Sequence, residues 1–475
     1  MDASEQEEIT SADSWAQEEL GRADFGDKRL TKRFIQITSD IAAQPEGSVP
    51  QACGSEAATK ATYRFLDNEN VTPKAIRASH RDKTVERVKE YQTVLAIQDT
   101  TSLNYASHKA TSGLGPIDGN GSNGLHVHSV LAVSSDGIPL GLVHQQDWAR
   151  DPKEKGKKEK RKKLSIEEKE SYRWLQSLEA TKQAMSEDTH IITITDREGD
   201  IFELFALERP RNMDLLIRAV QNRRVKVDDS EIGKLQNTIE SVPAANQTMT
   251  IHLEHRPGKP ARDVTLHLRW KKISILPPTN KSKKYAPVSF TAILVTEADP
   301  PAGEEPLEWL LLTTLSIETF QQAAQCVLWY RFRWLIERYH FVLKSGCRLE
   351  KLQLETVERL ERALALYCIV AWRLLYLTYL ARNTPDASCE VIFQTHEWQA
   401  LHAFTYKTNA LPTIPPSLHE ATRLVAKLGG FLARKSDGEP GVQTIWRGLR
   451  RLDDLAAMWL LLHSFTSPAT PGSYG

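Results

Sequence analysis

Two short runs of aliphatic and β-branched residues, Val94-Leu95-Ala96-Ile97 and Ile191-Ile192-Thr193-Ile194-Thr195, each give way almost at once to an aspartate. That repetition constrains the fold more than any other feature. Continuous apolar runs of this length, without two-residue alternation, mark strands buried on both faces, as in a sheet covered by helices. Asp99, in Gln98-Asp99-Thr100-Thr101-Ser102, and Asp196, in Asp196-Arg197-Glu198-Gly199-Asp200, are therefore expected at the ends of two buried strands. Leu215-Leu216-Ile217-Arg218 and Glu308 to Thr314 read as further buried strands. Residues 128–133 and 138–144, separated by Ser134-Ser135-Asp136-Gly137, read as a hairpin, with Pro139 tolerable near the start of its second strand.

The flanks read differently. Leu30, Phe34, Ile37 and Ile41 recur at helical spacing and predict a small helical domain up to about residue 70, with Lys28, Arg29, Lys32 and Arg33 on its other faces. Between about 222 and 300, Val264, Leu266, Leu268 and Trp270 alternate among proline and glycine punctuation, which predicts a β-rich insertion. Residues 317–344 read as one long helix, and 353–382 as another. The remainder is helical with loops, including turns at Gly429-Gly430 and at 437–441.

At 475 residues, two to four domains are expected. The acidic, polar amino terminus does not resemble a secretory signal, and the longest apolar stretch, Ala363 to Trp372, is too short for a membrane span. A cytoplasmic protein without a membrane partner is expected. Five cysteines without close pairs read as reduced packing thiols. The formal net charge is zero, yet the basic residues are clustered: 28–33, 155–163 and 281–284. The lysine-rich run at 155–163 reads as a solvated loop or as a segment lying near a polyanion.

Two aspartates on neighbouring strands and a glutamate on a helix would place three carboxylates around one point. Such a cluster requires cations, because like charges a few ångströms apart raise one another's pKa. Oxygen ligands favour magnesium or manganese, and two such ions about 4 Å apart stabilise the attacking and leaving oxygens of an in-line phosphoryl displacement. Asp99 would bridge the ions, with Asp196 and Glu337 each completing one site. On a continuous helix Tyr330, Arg333, Glu337 and Lys344 fall within one arc, a face suited to contacting phosphates. The same spacing suits a solvated face with an ordinary ion pair, so this segment alone leaves both readings open.

The run Tyr330-x-x-Arg333-x-x-x-Glu337 followed seven residues later by Lys344 resembles the tyrosine-arginine-glutamate-lysine signature of the DDE transposases related to bacterial transposon five. Asp99 and Asp196 resemble that family's two catalytic aspartates. Gly26-Asp27-Lys28-Arg29-Leu30-Thr31 and Tyr63-Arg64-Phe65 are similar to its end-binding domain, and Leu428-Gly429-Gly430-Phe431 and Ile445-Trp446-Arg447-Gly448 to its dimerisation region. The resemblance implies an α/β fold, a ribonuclease-H-like catalytic core with a β-rich insertion between helical DNA-binding and dimerisation regions. It implies domains at 1–72, 73–383 and 384–475, with the insertion at about 222–300.

It further implies a cut-and-paste enzyme that binds terminal inverted repeats in double-stranded DNA, pairs two ends as a homodimer, and cleaves, forms hairpins and inserts into target DNA. Two Mg2+ ions, replaceable by Mn2+, would sit on Asp99, Asp196 and Glu337. DNA contacts would come from Arg29, Arg33, Arg218, Trp309, Tyr330, Arg333, Trp334 and Lys344. Trp309 would stack on a flipped base and Trp334 would lie near the distorted bases. A strand-core role for Trp309 fits the sequence equally well. Two alternative functions stand beside this one: an inactive DNA-binding inhibitor that acts through mixed dimers, and a ribonuclease-H-like nuclease without strand transfer. The intact carboxylate triad argues against the first, and the resemblance in the pairing region against the second.

Overall fold

The parity of residues along two central strands decides which side chains reach one face of the sheet. The computed structural model describes residues 11–118, 121–154, 164–226, 231–253, 260–434 and 437–464. The lysine run at 155–163 and the first ten residues lie outside them. Among the described residues the strands are β1 (Thr93–Asn104), β2 (Gly115–Pro116), β3 (Asn123–Ser134), β4 (Pro139–Trp148), β5 (His190–Thr195), β6 (Met213–Arg218), β7 (Arg224–Lys226), β8 (Ile232–Lys234), β9 (Thr248–Leu253), β10 (Arg262–Ile275), β11 (Val288–Glu297) and β12 (Glu308–Thr313). They form one mixed sheet in the order β2-β3-β1-β5-β6-β12-β11-β10-β7-β8, with β4 also on β3 and β9 on β10.

β1, β5 and β6 are parallel, as expected of buried apolar runs. One face packs Leu95, Ile97, Ile192 and Ile194 against Val327, Leu335 and Ile336. The other packs Val94, Ala96 and Ile191 against Trp174 and Leu178 of the helix Tyr172–Ala184. The β-rich insertion, from Arg224 to Glu297, extends this same sheet, because β12 pairs with β6 on one side and β11 on the other. Its expected alternation is present in β10, where Val264, Leu266 and Leu268 are buried and Asp263 and Thr265 are exposed.

Two expectations need correction. β1 does not end at Asp99: pairing with β3 continues it to Asn104, and only its parallel neighbour β5 stops, at Thr195. Nor is 317–344 one helix. It divides into the helix Phe320–Arg331, a turn at Phe332 and Arg333, the helix Trp334–Phe341 and a π-helical turn, Val342–Gly346. At the break the amides of Phe332 and Arg333 bond to carbonyls three residues back, Trp329 and Tyr330, which tightens the helix and turns its axis. Neither glycine nor proline marks the place.

In the amino-terminal region Asp27 caps the helix Lys28–Ala43, whose Phe34, Ile37 and Ile41 are buried while Leu30 packs at the rim. Phe34 stacks on Phe65 at 6.1 Å, and Phe25 meets both rings edge-on. A single apolar cluster runs from Ala16 through the sheet to Trp446. The helix Val357–Asn383 lies within it. This helix is long and apolar enough to cross a membrane, but 78% of its apolar window is buried inside the protein. The five cysteines are free thiols, four of them buried.

Candidate active site

Side chains alternate along a strand, so Asp99 follows Leu95 and Ile97 onto one face of β1, and Asp196 follows Ile192 and Ile194 onto the same face beyond β5. The parallel register pairs Gln98 with Thr195. Asp99 and Asp196 are the next pair along, on chains roughly 4.8 Å apart. This is the face that the helix Trp334–Phe341 covers, and it carries Glu337.

Beyond β5 the chain enters a 3₁₀ turn, Arg197–Gly199, that Asp196 caps by accepting the Glu198 amide at 2.8 Å. Gly199 is required there: a Cβ would lie 2.2 Å from the Thr195 hydroxyl oxygen. Asp200, on the same acidic run, takes no part in the site. Its buried carboxylate accepts the amides of Val220 and Gln221 and pairs with Arg223, which fixes the chain just after Arg218.

Asp99 accepts the Thr100 amide at 2.8 Å and is otherwise short of partners. Burial, then the charge of Asp196, push its pKa up to about 7, with Glu337 acting in the same direction. Arg333 Nη1 and His340 Nδ1 each lie 4.0 Å from Asp99 Oδ2, too far for a hydrogen bond. Burial holds the His340 pKa down at about 3, so the ring is neutral. Its Nε2 has no hydrogen-bond partner among the described residues. A half-buried pair of carboxylates with so few partners suits a cation, and its oxygen donors suit a hard one.

Glu337 is near this pair but turned aside. Its carboxylate accepts from Arg333 Nη2 at 2.5 Å. Among the described residues no three acidic, histidine or cysteine side chains converge as a finished metal cage. The charges of Asp196 and Glu337 both act on Asp99, while the Glu337 carboxylate is paired with Arg333.

The expected DNA-contacting residues fall into three groups. Arg218, Trp309, Tyr330 and Arg333 form one cluster: Trp309 meets Tyr330 edge-on at 5.3 Å, Arg333 lies 6.0 Å from the Tyr330 ring, and Arg218 Nη2 donates to the Glu308 carbonyl at 3.2 Å. Burial raises the Tyr330 pKa despite the two arginines nearby. Trp309 is half-buried at the rim of the core. Trp334, 41% exposed, opens the Glu337 helix, and Lys344 is half-buried in the π turn beyond. Because the helix is broken, Lys344 does not follow the others along one α-helical arc. Arg29 and Arg33 lie far away in sequence, in the amino-terminal helix. Arg29 is exposed and folded onto Asp27 at 2.8 Å, and Arg33 is half-buried. In the 281–284 cluster Lys281 pairs with Glu203 and Lys284 lies over Tyr285.

Sequence reasoning passed over His340, Arg173 and Glu198. His340 stands three residues after Glu337, one helical turn on, and that spacing was its only signal. Arg173 and Glu198 come from distant segments and carried none.

A mixed sheet with paired aspartates on adjacent parallel strands, and a glutamate on a helix across them, defines the ribonuclease-H-like class of phosphoryl-transfer enzymes. Residues 125–373 match the family described as the transposase DDE domain, residues 12–71 the transposase DNA-binding family, and residues 369–459 the transposase Tn5 dimerisation domain. The first match covers more than half of the chain, and the chain belongs to the DDE transposases. It is a phosphoryl-transfer enzyme that cuts and joins DNA, with a DNA-binding and a homodimer-forming region. Enzymes of this family generally use divalent metal ions. Asp196 and Glu337 lie within the matched catalytic span, whereas Asp99 precedes it.

Proposed function

We propose that the protein is a cut-and-paste transposase that binds terminal inverted repeats, pairs two ends as a homodimer, cleaves through a hairpin and joins the freed ends to target DNA. Asp99, Asp196 and Glu337 are its catalytic carboxylates. The observation that supports this reading is the β1–β5 register, whose last pair, Gln98 with Thr195, immediately precedes the two aspartates. The chain divides as 1–72 for end binding, 73–383 for catalysis and 384–475 for dimerisation, and it acts in the cytoplasm on nucleoid DNA.

The three carboxylates offer oxygen donors that fit two Mg2+ ions, or Mn2+ in their place. A divalent metal held by these residues would supply positive charge for the attacking and leaving oxygens of the phosphoryl displacement. The chain's own groups position the DNA. Arg218, Arg333 and Lys344 supply cations for phosphates, and the Trp309–Tyr330 corner offers a flat face for an unstacked base. Trp334, at the exposed start of the Glu337 helix, lies near the distorted bases. Arg29 and Arg33 hold the duplex at a distance from the chemistry.

The test is cleavage of end DNA in magnesium by Asp99→Ala, Asp196→Ala and Glu337→Ala, beside binding of the same DNA. All three lose cleavage and retain binding. Near-normal cutting by any of them removes that residue from the metal site.

A further inference from the structure

We propose that Arg173 is a positioning residue that ties the two aspartate-bearing segments together from the rear face of the sheet. Resting on the assignment of Asp99 and Asp196 as metal-holding residues, it concerns a side chain that the cleavage chemistry never touches. β5 stops at Thr195, so backbone pairing with β1 ends one residue before Asp196. Among the described residues no ladder pairing joins the two segments beyond that point, and a side chain spans them.

Thr100 and Glu198 follow the two aspartates closely, and each donates its amide to the neighbouring carboxylate: Thr100 to Asp99 Oδ1 and Glu198 to Asp196 Oδ1, both at 2.8 Å. By parity Thr100 points away from Asp99, toward the face packed by Trp174 and Leu178. Arg173 meets it there. Its Nε donates to the Thr100 hydroxyl at 2.9 Å, and its Nη2 donates to Glu198 Oε2 at 2.7 Å. One guanidinium thus closes a path from Asp99 through Thr100, Arg173 and Glu198 to Asp196.

The fork is itself held. Arg173 Nη1 donates to the Glu170 carbonyl at 3.0 Å, and the guanidinium carbon lies 5.6 Å from the Trp148 and Trp174 ring centres. The Thr100 hydroxyl, accepting from Arg173, is also hydrogen-bonded with His128 Nδ1 at 2.8 Å, which anchors it from a second side. A lysine could not reproduce this, because a single ammonium lacks the planar fork that reaches two acceptors on different segments.

The experiment measures binding of Mn2+ to the full-length protein on its end DNA, by the loss of the free-ion paramagnetic resonance signal. The variants are Arg173→Ala, Arg173→Lys, Thr100→Val, the double variant Arg173→Ala with Thr100→Val, and Asp99→Ala. Cleavage rate, DNA affinity and melting temperature are recorded beside it. Arg173→Ala is expected to weaken Mn2+ binding and slow cleavage by about 10- to 100-fold, with unchanged DNA affinity and part of the rate recovered in excess Mn2+. The double variant is expected to be no worse than Arg173→Ala, because both act along one path. Arg173→Lys is expected to restore the melting temperature without restoring Mn2+ affinity.

If Asp99→Ala binds Mn2+ as the unaltered protein does, the metal-site reading falls and this proposal with it. If Asp99→Ala loses Mn2+ while Arg173→Ala stays within about twofold of the unaltered protein, the positioning role alone is overturned. A loss that Arg173→Lys repairs together with the melting temperature marks a purely structural residue and equally overturns it. So does a loss of DNA affinity with Mn2+ binding intact.

Discussion

The two strand-borne aspartates and the helix-borne glutamate are built in opposite ways. Asp99 and Asp196 are set by backbone: a parallel register, a 3₁₀ turn that needs Gly199, and amide hydrogen bonds to both carboxylates. Glu337 sits on an eight-residue helix bounded by a tight turn before it and a π turn after it, with its carboxylate clasped by Arg333. One half is set by main-chain geometry, and the other carries its carboxylate on a short helix and a side-chain ion pair. This division suits an enzyme that must first accept DNA and then close its metal site around the scissile phosphate.

Removing the strand-borne half has the largest expected effect. Asp99→Ala or Asp196→Ala should abolish cleavage and leave end-DNA affinity within about twofold, since phosphate and base contacts come from elsewhere. Gel assays of nicked product and bound complex measure the two together. Substantial cutting by either variant would break the comparison at its fixed end.

Trp309 comes next. If it stacks on a flipped base, Trp309→Ala slows hairpin formation by roughly five- to 150-fold, spares first-strand nicking, and is partly rescued by a substrate with an unpaired base at that position. If its role is the strand core, truncation costs about 3–5 kcal/mol of stability, and all products fall together with the melting temperature. Its half-buried edge-on contact with Tyr330 fits a platform open on one side. We expect the first pattern.

A smaller effect is expected at the clasp. Arg333→Lys keeps a charge beside Glu337 but loses the fork, and cleavage should fall about tenfold with little change in melting temperature. An unchanged rate would mean that the Arg333 fork is needed neither for guiding Glu337 nor for contacting phosphate, and the helix-borne half of the comparison would lose its mechanism.

The smallest effects belong to the amino-terminal helix. Arg33→Ala should lower the slope of log affinity against log salt by about one, and Arg29→Ala by less, because Arg29 must first leave Asp27. Equal slopes for both variants and the unaltered protein would make this helix a solvated face.

How much of this was legible in the sequence follows the same division. The aspartates could be read because buried strands announce themselves in composition, and the β10 alternation at Val264, Leu266 and Leu268 did the same for the insertion. Where β1 ends could not be read, because its extension to Asn104 depends on pairing with β3. The break at Phe332 and Arg333 was invisible because every residue from Trp329 to Trp334 tolerates a helix, and tertiary packing overrides so weak a preference. Arg173 lies 73 residues from Thr100 and 25 from Glu198, and only folding brings it to both.

In the proposed mechanism Asp99 and Asp196 form a metal-holding pair to which Glu337 is delivered. That arrangement is tested most directly by crystallising the protein on end DNA with Mn2+ and recording the anomalous signal of the metal. Peaks are expected within coordination distance, about 2.0–2.3 Å, of Asp99 and Asp196 oxygens, with the Glu337 carboxylate released from Arg333 and bound to metal. Peaks away from both aspartates, or Glu337 still on Arg333 with the metal sites filled, would contradict it.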